Sequence, residues 1–232
     1  MSSTPGASDS TILSGHLQLA ALVLCGGQSR RMGAPKYLLP FGEETLLQRI
    51  CRIVGVAASP VVIVAAENQS LTEAPQHCHV CRDSKADEGP LQAIADGLAC
   101  LIEADREPDN LMHFPVFVTS CDVPLLTSGI IEFLAAKLQP DDDVIVIRTD
   151  DQPHPLCAVY RAGPALVAAQ RLLAANVRRA SSLPGSLRTR WVMDAELRTI
   201  DPQLHCLRNC NTPDELQEAI LLARDYSTIR NT

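Results

Sequence analysis

The sequence predicts an α/β protein with a mostly parallel sheet and helices on both of its faces. Short apolar runs alternate with amphipathic helical patterns along the chain, which is typical of a parallel sheet covered by helices. The first apolar run, residues 19–25, is too short for a typical helix and is ended by Gly26 and Gly27, so it predicts a buried strand. A length of 232 residues allows one substantial core. We therefore expect a single domain of this class.

The remaining elements follow in order from the spacing of apolar residues. Residues 43–56 carry leucines and isoleucines at helical spacing and predict the first helix. Further strands are predicted at residues 61–66, 77–82, 115–120, 143–148, 156–161 and 191–193. Further helices are predicted at residues 90–104, 130–138 and 163–176, with a polar, basic loop at residues 181–190. Thr212, Pro213 and Glu215 provide a hydroxyl cap, an N1 proline and a capping glutamate, so the last helix begins there.

Composition excludes several classes of protein. The formal net charge of -7 disfavours nonspecific nucleic-acid binding, so an anion site must be local. The apolar segments are too short to cross a membrane. Residues 1–16 lack the pattern of a signal peptide and predict a disordered tail, followed by one domain over residues 17–228. Nine dispersed cysteines favour free thiols in a reducing compartment, and we expect a cytoplasmic protein.

A cationic, glycine-containing loop follows the first predicted strand, in the stretch LVLCGGQSRRMGAPK. Gly26 and Gly27 allow the backbone N–H groups to approach a phosphate, and Arg30, Arg31 and Lys36 are able to neutralise it. Tyr37 follows Lys36 where a P-loop has Ser or Thr, and the glycine spacing differs from the dinucleotide fingerprint. The loop predicts a phosphate site, and the alternative is a solvated basic turn.

Asp122 comes directly after the predicted strand at residues 115–120. Ligands of open α/β sheets bind outside the carboxyl ends of the strands, so Asp122 and the glycine loop are expected to face one crevice. A carboxylate there suits Mg²⁺ bound to substrate phosphates. The alternative is an Asp that caps the turn before Pro124.

Weaker signals lie in three later segments. Asp83 follows the strand at residues 77–82, and Gly89 precedes a helix whose N-terminus is suited to a base or phosphate. His154 begins a strand, and Asn209 and Asn211 precede the last helix, where an amide can help to hold a metal or a phosphate. The alternatives are an acidic surface loop, an ordinary histidine at the start of a strand and local capping at the helix entry.

Five segments in order resemble the molybdenum cofactor guanylyltransferase family, which belongs to the nucleotidyltransferases with a Rossmann-like sheet. The segments are LCGGQSRRMGAPKYLLPFG, RDSKADEGPLQAIADGL, VTSCDVPLL, HPLCAVYR and LRNCNTPDEL. The resemblance extends from residue 19 to about residue 225. It implies a single-domain, Rossmann-like nucleotidyltransferase fold.

The resemblance implies a reaction in which the terminal phosphate of molybdopterin attacks the α-phosphorus of GTP and pyrophosphate leaves. It implies catalytic roles for Arg31, Lys36 and Asp122, with Mg²⁺ on Asp122. The implied nucleotide-binding residues are Leu24, Cys25, Gly26, Gly27, Lys36, Asp83, Gly89 and Asp122. His154 and Asn211 are implied on the acceptor side, and a hypothesis places the basic segment 178–190 over the acceptor. The implied partners are GTP, molybdopterin and maturation proteins of molybdoenzymes, with no nucleic acid and no membrane.

Two departures from the family pattern keep alternatives open. Cys25 replaces the usual alanine, and Pro35 replaces the aspartate usual in guanylyltransferases, which makes that stretch similar to the sister cytidylyltransferases. GTP is the predicted substrate; the alternative is a cytidylyltransferase or another nucleotidyltransferase that acts on a phosphorylated acceptor. A third hypothesis is a noncatalytic nucleotide-binding protein, against which the retention of Lys36 and Asp122 argues.

Overall fold

Nine strands and six α-helices are described in a computed structural model that covers residues 19–26, 34–67, 69–71, 74–83, 88–104 and 113–229. The strands are β1 (Ala20–Leu24), β2 (Pro40–Phe41), β3 (Glu44–Thr45), β4 (Val61–Ala65), β5 (Cys78–Arg82), β6 (Pro115–Ser120), β7 (Val144–Thr149), β8 (Gln152–Arg161) and β9 (Thr189–Met193). The helices are α1 (Leu46–Ala57), α2 (Pro90–Ala104), α3 (Ser128–Lys137), α4 (Ala162–Ala174), α5 (Asp194–Leu197) and α6 (Pro213–Ile229). Within the part of the chain described, no helix is both long and apolar enough to span a bilayer.

The central sheet has seven strands in the order β5-β4-β1-β6-β8-β7-β9. β8 pairs antiparallel with both β6 and β7, and the other strand pairs are parallel. From β1 the chain first builds outward through β4 to β5 and then returns to form β6 on the other side of β1. β1 and β6 therefore flank the topological switch point, where ligands of such sheets bind. The predicted mostly parallel sheet is confirmed.

Helices cover both faces of the sheet because the side chains of each strand alternate between two apolar layers. In β1, Ala21 and Val23 contribute to one layer and Leu22 and Leu24 to the other. α1 and α3 pack on the first layer, and α2 and α4 pack on the second. Gly97 lets α2 approach closely, since a Cβ there would lie 2.7 Å from Val64 Cγ2.

Several boundaries differ from the sequence prediction for identifiable reasons. α2 and β6 have the predicted bounds, but α1 begins at Leu46, later than predicted, because residues 44–45 pair with residues 40–41 in a hairpin. Thr45 then caps α1: its Oγ1 accepts from Gln48 N–H (3.2 Å), and Gln48 Oε1 accepts from Thr45 N–H (2.8 Å). β8 begins at Gln152, four residues earlier than predicted, because a tight turn of two positive-φ aspartates joins it to β7. The predicted loop at residues 181–190 contains short 3-10 turns and the first residues of β9.

Candidate active site

The carboxyl ends of β1 and β6 are joined side by side at the switch point. Leu24 pairs with Ser120 in the last register position, and Cys121 N–H donates to the Leu24 carbonyl oxygen at 3.1 Å. Asp122 follows directly, and Ser120 Oγ donates to its Oδ1. The strand pairing thus brings Asp122 next to the start of the glycine loop, as the sequence predicted.

Lys36 lies between a carboxylate and an amide at this edge of the sheet. Its Nζ donates to Asp122 Oδ2 at 2.8 Å and to Asn211 Oδ1 at 2.7 Å. Lys36 begins a 3-10 turn, which Pro35 precedes with a φ of -57°. The side chains of Lys36 and Asp122 are 20% and 14% exposed, so the ion pair is partly shielded from water but still in contact with solvent. A ligand phosphate can therefore approach the ammonium group.

Helix α6 holds Asn211 in place. Asn211 N–H donates to Glu215 Oε2 at 2.6 Å, and Thr212 N–H donates to the same oxygen at 2.9 Å. The hydrogen bond from Asn211 N–H is the main reason why the pKa of Glu215 is lowered. Cys210 N–H donates to the Asp122 carbonyl oxygen at 2.8 Å, which ties the helix entry to the end of β6. The predicted capping box therefore also positions a side chain of the site.

The start of the glycine loop is held by its neighbouring strand. Cys25 N–H donates to the Val64 carbonyl oxygen at 2.8 Å, and the Cys25 carbonyl oxygen accepts from Gln69 Nε2 at 3.1 Å. Gly26 is exposed, and among the described residues no atom other than those of its chain neighbours lies within 4 Å of the position where a Cβ would stand. A ligand is thus able to come close to the backbone there. Gly27, Arg30 and Arg31, which the sequence also placed in this loop, lie outside the described residues.

A cavity of about 490 Å³ lies beside the switch point. His154 lines it, and its Nε2 lies 2.6 Å from Thr149 Oγ1. Burial lowers the pKa of His154, so its ring is neutral at neutral pH. The cavity is lined by residues from β6, β8, the start of α2 and the segments before β9 and α6: Gly89, Pro90, Ser120, Val123, Pro153, His154, Pro155, Leu156, Cys157, Arg178, Arg179, Ala180, Ser181, Cys206, Leu207 and Asn209.

Two basic residues and a glycine shape one wall of this cavity. Arg178 Nε forms an ion pair with Glu88 Oε2 at 3.0 Å, and the exposed Arg179 follows it. Gly89 has a φ of +83°, and a Cβ there would lie 3.2 Å from the Arg178 carbonyl oxygen. Only glycine suits both the conformation and the space. The loop before α2 can therefore pack against the basic segment.

The structure brings most of the predicted residues together in two neighbouring groups. Leu24, Cys25, Gly26, Lys36 and Asp122 lie at the switch point with Asn211, whereas Gly89 and His154 line the cavity. Asn211 contacts Lys36, and Asn209 is the asparagine that lines the cavity. Asp83 lies at the end of β5, and its N–H donates to the Ala65 carbonyl oxygen at 2.8 Å. β4 separates β5 from β1, so Asp83 is farther along the same edge.

Sequence reasoning missed two residues that contact the site. Ser120 is the last residue of β6, and its hydroxyl donates to Asp122. Its place two residues before Asp122 at a strand end was the available signal. Gln69 contacts Cys25 across a sequence separation of 44 residues, and no local pattern marks it.

The residues present fit a magnesium ion that substrate phosphates and water would complete. Asp122 and Asn211 offer hard oxygen ligands side by side, and both already hold a cation, the Lys36 ammonium group. Among the described residues, no group of three or more His, Cys, Asp or Glu side chains forms a full protein cage. This donor set is typical of Mg²⁺ sites in phosphoryl and nucleotidyl transfer.

Comparison with known proteins places the chain in a family. The family model of the MobA-like NTP transferase domain matches residues 21–184. A probable molybdenum cofactor guanylyltransferase of Mycobacterium ulcerans is 35% identical over 179 residues, which is 76% of this chain and 84% of that protein. A protein of the same description from Mycobacterium tuberculosis is 39% identical over 145 residues, 62% of this chain and 68% of that protein.

Solved structures share the fold. The molybdopterin-guanine dinucleotide biosynthesis protein A of Archaeoglobus fulgidus superposes with a TM-score of 0.69 at 21% identity and covers 89% of this chain and 99% of its own. A 4-diphosphocytidyl-2C-methyl-D-erythritol synthase superposes with a TM-score of 0.64 at 15% identity, over 90% of this chain and 100% of its own.

The sheet, with a lysine, a carboxylate and an open glycine at its switch point, is that of a nucleotidyltransferase. The chain belongs to the MobA-like NTP transferase family.

Proposed function

We propose that the protein transfers GMP from GTP to the terminal phosphate of molybdopterin and releases pyrophosphate. The observation that carries the proposal is the Lys36 ammonium group, held by Asp122 and Asn211 at the switch point and adjoining a cavity with two arginines. The M. ulcerans and M. tuberculosis relatives, described as probable molybdenum cofactor guanylyltransferases, support this choice of substrates.

On the nucleotide side, the chain supplies positive charge and close backbone approach. The Lys36 ammonium group, which contacts Asp122, moves toward the phosphates of the bound nucleotide and neutralises negative charge on the triphosphate. Gly26 leaves room for the phosphates against the backbone, and Leu24, the last residue of β1, and Cys25 lie behind them. Arg31 is proposed to add a second cation, and Asp83 and Gly89 remain proposed contacts to the nucleotide.

On the acceptor side, the cavity suits a ring system that carries a phosphate. Its lining includes apolar side chains such as Val123 and Leu156 together with Arg178 and Arg179. A neutral His154 is able to exchange hydrogen bonds with a heterocycle without adding charge. The arginines can neutralise the acceptor phosphate, which must approach another anion for in-line attack.

Asp122, with Asn211 beside it, would hold Mg²⁺ at the same edge. When bound, Mg²⁺ would offset the negative charge of the phosphates in the transition state. The chain needs no covalent nucleophile, because the acceptor phosphate attacks directly. Catalysis by this chain then consists of positioning and charge stabilisation.

Pro35, the departure that resembles cytidylyltransferases, has a structural role here. Its carbonyl oxygen accepts from Leu38 N–H at 3.0 Å and closes the 3-10 turn that carries Lys36. This backbone contact helps to position Lys36 and does not depend on the side chain at position 35. The choice of GTP over CTP is supported by the M. ulcerans and M. tuberculosis relatives, which are described as probable molybdenum cofactor guanylyltransferases.

The proposal is tested by nucleotide transfer with purified protein, Mg²⁺, molybdopterin and either GTP or CTP. We expect pyrophosphate release and a guanine dinucleotide product with GTP. Asp122→Asn and Lys36→Met, which keep side-chain size, should each lower kcat by about 10²- to 10³-fold, as removal of one transition-state contact does. Asp151→Asn on the surface, where the side chain is 88% exposed, is the matched control.

Each alternative outcome would change the proposed function or the assigned residue roles in a different way. A preference for CTP would make the protein a cytidylyltransferase. Binding of GTP without transfer would establish the noncatalytic hypothesis. Full activity of Asp122→Asn would refute the roles assigned at the switch point. A cytoplasmic location and contact with maturation proteins of molybdoenzymes remain part of the proposal.

A further inference from the structure

Two thiols lie side by side directly behind the proposed nucleotide site. Cys25 follows β1 and Cys121 follows β6, the strand paired with β1. Both side chains are buried, at 4% and 5% exposure, in the same apolar layer. The neighbouring Cys25 side chain, together with burial, raises the pKa of Cys121.

The backbone geometry allows the two sulfurs to be joined. Leu24 and Ser120 are register partners, so Cys25 and Cys121 occupy the next positions on neighbouring parallel strands. Neighbouring strands lie about 4.8 Å apart. Disulfides form at Cα separations of about 4.4 to 6.8 Å. Both cysteines continue the pairing of the strands, since Cys121 N–H donates to the Leu24 carbonyl oxygen at 3.1 Å and Cys25 N–H donates to the Val64 carbonyl oxygen at 2.8 Å, so the sheet sets the separation of their Cα atoms.

We propose that Cys25 and Cys121 form a reversible disulfide that inactivates the nucleotide site. With hydrogen peroxide as oxidant, one thiol gives up its proton and its sulfur attacks a peroxide oxygen; the O–O bond breaks, the leaving hydroxide takes up that proton and departs as water, and a sulfenic acid remains. The other thiol then attacks the sulfenic sulfur; the S–O bond breaks, the S–S bond forms, and the hydroxyl group leaves with the thiol proton as a second water. The two sulfurs lose two electrons, and the peroxide gains them. A dithiol reductant returns both thiols by exchange.

The disulfide would act through the residues next to each cysteine. Gly26, the open glycine, follows Cys25, and Asp122 follows Cys121. An S–S bond of about 2.05 Å is shorter than a contact between two thiols, so its formation draws these two chain segments together. Asp122 then moves relative to Lys36, which it contacts at 2.8 Å. A displacement of about 1 Å in a catalytic group can cost about 10²-fold in rate.

Gln69 adds a second consequence for the same pair. Its Nε2 donates to both the Cys25 carbonyl oxygen (3.1 Å) and the Cys25 sulfur (3.3 Å). Movement of the sulfur toward Cys121 disrupts this contact and loosens the end of β1. Oxidation is therefore expected to affect both sides of the nucleotide site.

The test treats the full-length protein with hydrogen peroxide and maps disulfides by mass spectrometry of unreduced peptides. We expect a peptide pair linked through Cys25 and Cys121. Transfer activity of each variant is compared with its own untreated sample, because the activity readout rests on the proposed function. The transfer activity of the wild-type protein should fall by at least about 10-fold after peroxide and should recover with dithiothreitol.

Variants separate this pair from the other thiols. Cys25→Ala should retain its own activity after peroxide, with Cys121→Ala as a second variant if the first fails to fold. Cys78→Ala is the matched control, since it removes a different thiol contact, with Cys51, and leaves Cys25 and Cys121 in place. It should be inactivated as wild type is.

Two results would overturn the inference. The first is an oxidised wild-type protein without the linked peptide. The second is Cys25→Ala losing as much of its activity as wild type. If reduced wild type transfers no nucleotide, the proposed function fails, and the peptide map still decides whether the disulfide forms.

Discussion

At the scale of single residues, the site depends on one lysine with two partners. Lys36 is held by Asp122, which follows β6, and by Asn211, which precedes α6. A carboxylate and an amide differ in what they provide: Asp122 balances the charge, and Asn211 fixes the direction of the ammonium group. The position of Asn211 favours a role in orienting Lys36 over the acceptor contact that the resemblance implied.

We predict that Asn211→Ala lowers kcat by about 10-fold or more with little change in the acceptor KM, because a hydrogen bond to a charged group is lost. Asn209→Ala, two residues earlier and in the cavity wall, is expected to raise the acceptor KM. Steady-state kinetics of both variants checks this. The opposite pattern would return Asn211 to the acceptor side.

The buried His154 makes stability depend on pH. Burial depresses the pKa of the folded protein's His154 below its ordinary value of about 6.5, so the unfolded chain binds a proton first as pH falls. The stabilising contribution of neutral His154 is present above that value and is lost as pH decreases through the folded pKa.

We therefore expect the free energy of unfolding to fall more steeply from pH 7 to pH 5 in wild type than in His154→Gln. Urea denaturation at several pH values measures this free energy for each protein. His79→Gln, at an exposed histidine, is the control and should keep the wild-type slope. Equal slopes for all three proteins would contradict this account of His154.

At the scale of elements, three neighbouring strands are clamped at their carboxyl ends. Gln69, in the loop after β4, donates to Cys25 after β1, and its Oε1 accepts from Ala66 N–H at 3.1 Å. Arg82, the last residue of β5, donates to the carbonyl oxygens of Gln69 (2.7 Å) and Ala66 (3.1 Å). The clamp keeps the start of the glycine loop in register with the sheet.

We predict that Gln69→Ala raises the KM for GTP several-fold and leaves kcat nearly unchanged, because a lost neutral hydrogen bond costs about 1 kcal/mol. Gln203→Ala on the surface is the control. Kinetics at varied GTP concentration gives both constants. A fall in kcat without a change in KM would assign Gln69 to the chemical step instead.

At the scale of the whole molecule, an acidic chain concentrates positive charge at one edge of its sheet. The formal net charge is -7, yet Lys36, Arg178 and Arg179 lie at or beside the switch point. Because the surrounding field repels anions, binding of a triphosphate depends on these specific contacts. A ligand held at this edge would contact residues at the ends of β1 and β6 and directly before α6.

GTP with Mg²⁺ is therefore expected to raise the thermal midpoint. A GTP concentration of 100 times Kd adds about 2.7 kcal/mol to the free energy of unfolding. For a chain of this size, that raises the midpoint temperature of unfolding by about 5 to 10 °C. Differential scanning fluorimetry with GTP, CTP and ATP measures the shift. The shift should be smaller in Lys36→Met, and equal shifts with all three nucleotides would show that the base is not recognised.

The sequence by itself determined the layered fold, the order of its main elements and the position of Lys36 and Asp122. Apolar periodicity is a local property, and the glycine pair and the Asp after a strand are local signals. The capping box of α6 was also predicted, from Thr212, Pro213 and Glu215, and the structure shows it.

Only the tertiary structure decided which side chains meet. Lys36 and Asn211 are 175 residues apart, and Gln69 and Cys25 are 44 apart, so no local spacing encodes either contact. Local spacing also does not predict that Asn211 contacts Lys36 whereas Asn209, only two residues earlier, lines the cavity. Such contacts arise because parallel strands distant in the chain end at one edge of the sheet, where strand order, not sequence distance, sets proximity.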